Sequence, residues 1–201
     1  MRKTMAVAVL VAALATTGTA RAAPVVYDLT GNLTGTLTDA VGTTTFTDSP
    51  FNWLVIGNTG QATTSIIGGF PILEVPALAD TIGIGGLTLV PTIQTYFALA
   101  HVPAGPSSFG IAGFSDVTTN NNGIAWKAAA LFGYDGLTTF GPIAVTFDIA
   151  APLPTDAGSL VISGASGLSF SAEVDEPPGR AADTFGAECA AGEKITAGGS
   201  S

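Results

Sequence analysis

The chain predicts an all-β fold, an antiparallel β-sandwich of jelly-roll type preceded by a signal peptide. Three observations carry that expectation. Apolar and hydroxyl residues alternate from Val25 to Thr38, and short runs of Val, Ile, Thr and Phe recur between turn residues. In addition, 26 Gly and 12 Pro punctuate a chain in which only 10% of residues are charged, a balance that suits many short strands. With 201 residues there is enough chain for one domain with a sizeable core.

The N-terminal segment comes first. Arg2 and Lys3 precede an unbroken apolar run from Met5 to Ala15, and Ala20-Arg21-Ala22 follows as a small-x-small sequence. The run is shorter than the about 20 residues that cross a bilayer. Residues 1–22 are therefore expected to be a signal peptide cut between Ala22 and Ala23. The mature chain is then exported, to the cell surface, the extracellular space or the periplasm. Cys189 is the single cysteine, so no intramolecular disulfide can form and packing alone must hold the body, residues 23–174.

Residues 25–38 place Val25, Tyr27, Leu29, Leu33 and Leu37 on odd positions and Thr30, Thr34, Thr36 and Thr38 on even ones. That period is a half-buried strand. A hairpin turn at Gly31-Asn32 would pair Thr30 with Leu33 and mix the faces, so one strand with a bend or bulge at Gly31 or Gly35 is expected. The threonines then form a solvent face, which suits their branched Cβ and hydrated hydroxyl. A flat threonine array can also bind ice, but only where the T-x-T ladder recurs in register on adjacent strands. It is strong once, weaker at Thr43–Thr47 and absent later, so the plain solvent face is preferred.

Thr43–Asp48 and Phe51–Ile56 read as further strands, the second turning Phe51, Trp53 and Val55 inward. Around Gly85-Gly86 a hairpin would pair Ile84 with Leu87, Gly83 with Thr88 and Ile82 with Leu89, each pair alike in character. Thr92–Ala100 is a strand. Ala125–Phe132 is a short helix, connector or strand. Ile143–Ile149 is a strand with Val145 and Phe147 inward, and Ser159–Ser163 with Leu168–Val174 is a hairpin turning at Gly164–Gly167. Residues 175–201 hold Asp175, Glu176, Asp183, Glu188 and Glu193 with no apolar period, and are expected to be a disordered tail.

The formal net charge is −9, and Lys127 is the only basic residue between Ala23 and Gly179, which excludes a phosphate-binding surface and so nucleic acid. His101 is the only histidine, and no G-x-S-x-G occurs, so a strand-end histidine is preferred to a catalytic base. Clustered zinc ligands are missing. Among Asp28, Asp39, Asp48, Glu74, Asp80, Asp116, Asp135, Asp148, Asp156 and Glu173 no pair stands out as a glycosidase dyad. Ser115–Gly123 is rich in oxygen but has one carboxylate, and reads as a plain loop before a calcium site. Trp53 reads as core, whereas Trp126, beside that loop, is the aromatic singled out for stacking on a sugar. No catalytic residue, metal or cofactor is expected.

The body resembles exported bacterial proteins that carry a PEP-CTERM sorting signal. The likeness rests on the N-terminal segment and on Val25-Val26-Tyr27-Asp28-Leu29-Thr30-Gly31. It continues through Phe46-Thr47-Asp48-Ser49-Pro50-Phe51 and Tyr134-Asp135-Gly136-Leu137-Thr138-Thr139-Phe140-Gly141-Pro142, and closes with Ser166-Gly167-Leu168-Ser169-Phe170-Ser171-Ala172. It implies surface sorting and an association with exopolysaccharide and biofilm, and it brings no catalytic residues. Val174-Asp175-Glu176-Pro177-Pro178 stands where V-P-E-P belongs, without the apolar span and arginines that should follow. A released relative or a shifted reading frame is implied, with no stable membrane anchor. The expected function is thus a non-catalytic surface or matrix protein with exopolysaccharide or surface glycans as partner. A secreted carbohydrate-binding module is the alternative, and a glycan hydrolase comes third.

Overall fold

The computed structural model describes residues 22–175 apart from 68, 105–106 and 117–121. The expected signal peptide up to Arg21, the tail from Glu176, Cys189 and most of the asparagine loop lie outside the described residues.

Within them the chain is antiparallel β-sheet with no α-helix. The strands are β1 (Pro24–Thr38), β2 (Thr43–Asn58), β3 (Thr63–Ile67), β4 (Phe70–Ile84), β5 (Leu87–Leu89) and β6 (Thr95–Val102). They continue as β7 (Phe109–Asp116), β8 (Asn122–Ala128), β9 (Phe140–Ala144), β10 (Thr146–Ala150), β11 (Leu153–Thr155) and β12 (Gly158–Val174). Their spatial order is β10-β8-β7-β6-β4-β2-β1-β12-β11, with β3 and β5 added to β4 and β9 to β12. The path runs mostly from neighbour to neighbour until β12 returns beside β1. There Val25 pairs with Val174 and Asp175 N–H donates to the Pro24 carbonyl at 3.0 Å, so the two ends of the body meet.

β4 changes partners along its length. Its first half pairs with β3 and β6, its second half with β2 and β5. In a flat sheet β1 and β6, three places apart, would lie about 14 Å from each other. Yet the rings of Tyr27 on β1 and Phe97 on β6 stack with centroids 3.9 Å apart. Further contacts join the same two halves: Phe97 to Phe170 at 5.7 Å, Trp53 to Phe114 at 5.0 Å and Trp126 to Phe170 at 5.3 Å. The sheet therefore turns over at β4, and a single aromatic core fills the space between its halves.

β1 keeps the expected parity, with Val25, Tyr27, Leu29, Leu33 and Leu37 buried and the even residues more open. Both glycines named from the sequence mark irregular pairing with β12, between Thr30 and Asn32 and between Thr34 and Gly35. A Cβ on Gly31 would fall 2.8 Å from Leu168 Cδ2, and one on Gly35 would fall 2.3 Å from the Val161 carbonyl oxygen. The missing side chains make room for the extra residues of the opposite strand.

Those bulges correct the hairpin expected at Gly164–Gly167. Gly164, Ala165 and Ser166 pair with Thr34, Leu33 and Asn32, so β12 is one strand from Gly158 to Val174. Thr43–Asp48 and Phe51–Ile56 likewise fuse into β2. Asp48 takes a positive φ of 46° in a bulge, its N–H donating to Thr34 Oγ1 at 3.1 Å and its Oδ1 accepting from Ser166 Oγ at 2.9 Å. Aspartate tolerates that conformation, and pinning from both neighbours lets the strand continue past Pro50. Ile143–Ile149 divides instead: β9 joins β12 and β10 joins β8, with Val145 and Phe147 partly buried against the core. The stretch 125–132 is strand to Ala128 and then a 3₁₀ turn, Ala129–Gly133. The Gly85-Gly86 hairpin has the register read from the sequence, Ile82 with Leu89, Gly83 with Thr88 and Ile84 with Leu87.

Candidate functional site

Trp126 is not a stacking platform. It is fully buried on β8, its ring set edge-on to Phe114 at 5.0 Å and against Phe170 at 5.3 Å. The alternation of β8 turns it inward with Ile124, toward Phe170 of β12. Trp53 is buried as expected. Tyr27 and Tyr134 are also core residues; Tyr27 Oη donates to the Gly136 carbonyl at 2.7 Å and pins the turn after Tyr134.

The polar residues weighed for chemistry are scattered and largely engaged. His101, near the end of β6, has Nε2 at 2.9 Å from the Tyr134 carbonyl oxygen, which selects the Nε2–H tautomer as donor. Lys127 pairs with Asp148 at 2.6 Å on the surface, a contact worth little in stability. Asp80 points toward the interior, paired in register with Val55, and its Oδ2 accepts from the buried Thr95 hydroxyl. Burial pushes the Asp80 carboxyl above its ordinary value, and the Thr95 hydrogen bond only partly opposes this. Asp135 closes its own turn, accepting from Leu137 N–H, Thr138 N–H and Thr138 Oγ1.

What the tertiary structure does assemble is the outer face of β12, β1, β2, β4 and β5. Cross-strand pairing sets Ser171 beside Asp28 and Ser169 beside Thr30, which in turn faces Asn52. Asn52 pairs with Gly83, and Gly83 with Thr88. A Cβ at Gly83 would stand 2.2 Å from Asn52 Oδ1, so the amide lies flat across the glycine. The result is an open groove of about 340 Å³ lined by Pro50, Phe51, Asn52, Gly83, Ile84, Gly86, Leu87 and Thr88. Its lining offers one amide, one hydroxyl, the half-open Leu87 side chain and no charge. Sequence reasoning missed it, although the paired characters of the Gly85-Gly86 hairpin already placed Gly83 beside Thr88.

Asp28 lies on the same face. Its Oδ1 is buried without a hydrogen-bond partner, and burial raises its pKa above the ordinary carboxyl value. The folded chain thus binds this proton more tightly than the unfolded chain. The stability that goes with protonation is present below the unfolded pKa, near 3.8, and is lost as pH rises through the raised value. Asp28→Asn, which cannot ionise, is expected to be more resistant to urea than the natural chain at neutral pH, with the difference vanishing in acid. Denaturation midpoints at about pH 3 and about pH 7 check this; a gain of equal size at both would assign the effect to something other than the charge.

No family model, curated protein or solved structure matches the chain.

Proposed function

We propose that this is an exported, non-catalytic protein of the cell surface or extracellular matrix, and that its partner is a neutral glycan strand. The observation that carries the reading is the uncharged groove beside the β4–β5 hairpin. An open trough with one amide, one hydroxyl and an apolar side chain suits a polymer that offers hydroxyls and C–H surface along its length. Asn52 and Thr88 serve as the hydrogen-bonding groups and Leu87 as the apolar contact. Architecturally the reading is a β-sandwich whose two layers share β4, jelly-roll-like in the return of β12 beside β1.

Export is supported by the order of charge, apolar run and small residues before Ala23. Just after that boundary the chain is tied to the body: Ala23 N–H donates to Thr59 Oγ1 at 3.0 Å and its carbonyl accepts from Thr59 N–H at 3.0 Å. Cleavage after Ala22 leaves these contacts in place, and N-terminal sequencing of exported material is expected to begin at Ala23. No helix among the described residues is long and apolar enough to cross a membrane.

The groove also favours the second reading, a secreted carbohydrate-binding module, and one experiment bears on both. The chain is incubated with insoluble polysaccharides, including the exopolysaccharide of a biofilm, and the pelleted fraction is measured with Asn52→Ala and Leu87→Asp beside it. Binding weakened by both substitutions, without release of reducing ends, is the expected result. Turnover of any glycan, abolished by replacing a single carboxylate, would make the protein an enzyme and overturn the proposal.

A further inference from the structure

At the other end of β1 and β2 the threonine ladders come into register. Thr36 pairs with Thr45 and Thr38 with Thr43 across β1 and β2. On the opposite side Thr36 pairs with Val161 and Thr38 with Ser159 of β12. Two rows result, Val161–Thr36–Thr45 and Ser159–Thr38–Thr43, carried by three adjacent strands. Thr38, Thr43, Thr45 and Val161 are exposed, Thr36 and Ser159 partly so. No charged residue belongs to either row. Asp39, at the adjoining turn, is occupied by the N–H groups of Val41 and Gly42. Asp48 closes the other end in its bulge, where its own N–H takes the Thr34 hydroxyl.

We propose that these two rows are an ice-binding surface, with crystalline water as the ligand. Directly paired side chains stand about 5 Å apart across strands, and alternate residues about 6.7 Å apart along them. This two-dimensional repeat is comparable in scale to the spacing of oxygens on faces of hexagonal ice. Branching at Cβ restricts χ1 in threonine and valine, so methyl and hydroxyl positions are set before any ligand arrives. The Thr38 and Thr43 hydroxyls are further fixed by their mutual contact at 3.1 Å. Val161 has the shape of threonine and continues its row. A rigid array loses little entropy when it orders a first layer of water, and many such weak contacts add over a lattice. This surface shares no residue with the groove by β5, and the inference does not depend on the glycan reading.

The test freezes a dilute solution of the full chain slowly and measures the fraction taken into the ice relative to an inert protein. The natural chain is expected to be enriched in the ice and to slow its recrystallisation. Thr45→Lys places a long, mobile, hydrated side chain in the middle of the array and is expected to reduce uptake to the inert level. Thr43→Lys, beside the turn, should do the same and stands in should Thr45→Lys not fold. Leu78→Lys, at an exposed position on β4, is expected to leave uptake unchanged. Exclusion of the folded natural chain from ice would overturn the proposal. So would full uptake of a folded Thr45→Lys or Thr43→Lys chain, or an array that binds neutral polysaccharide and not ice.

Discussion

Replacing Phe97 with alanine is expected to lower the unfolding free energy by about 3–5 kcal/mol, the range for removing a buried aromatic side chain. The ring is fully buried and parallel to two others, Tyr27 at 3.9 Å and Phe170 at 5.7 Å, with Phe114 and Tyr134 around it at 6.4 and 6.5 Å. Its neighbours come from β1, β7, β12 and the segment before β9, so the cavity would open where the two halves of the sheet meet. Collapse around that cavity would need long strands to shift together, which puts the cost toward the upper end. Urea denaturation of the natural chain and the variant measures it. A loss below about 1 kcal/mol, the scale of many surface substitutions, would mean that the halves do not pack through this ring.

The second large effect concerns one strand and its two faces. Leu33→Ala should cost about 2–5 kcal/mol, whereas Thr34→Ser should cost well under 1 kcal/mol. Leu33 is 1% exposed and lies between Ser49 of β2 and Ala165 of β12. Its neighbour Thr34 faces outward and accepts a hydrogen bond from Asp48 N–H at 3.1 Å, which a serine hydroxyl can also accept. Adjacent residues thus differ several-fold in cost because the strand period sends them to opposite sides. Similar small losses at both positions would show that β1 is not packed on its odd face.

Much of this fold was legible in local pattern. Alternation in β1 identified its buried residues one by one, and matched pair characters identified the Gly85-Gly86 register. Both are local quantities: the first depends on the geometry of a single strand, the second on residues no further apart than Ile82 and Leu89. The two glycines of β1 were also readable as sites of irregular pairing, because only a missing side chain lets an opposing backbone come so close.

Elsewhere the local signal pointed the wrong way. Gly164–Gly167 has the composition of a turn, and Ser49-Pro50 that of a strand end, yet both lie within continuous strands. Bulges opposite Gly31, Gly35 and Thr34 absorb the misfit, and the partner that makes this possible is more than a hundred residues away in β12's case. Trp126 looked available because it stands just after the asparagine-rich loop; its neighbours in space are Phe114 and Phe170, supplied by other strands.

The sequence by itself determined that the body, residues 23–174, is mostly antiparallel β structure, which face of β1 is buried, and that no cluster of Lys and Arg can form on the body. Each follows from composition or from the two-residue period of a strand. Only the tertiary structure decided where strands continue through glycine and proline, which aromatic rings become core, and that Thr36 and Thr38 stand beside Thr45 and Thr43. Those outcomes depend on which strands pair and in what register, and that choice is made by burial of a shared core between distant segments, which no local period encodes.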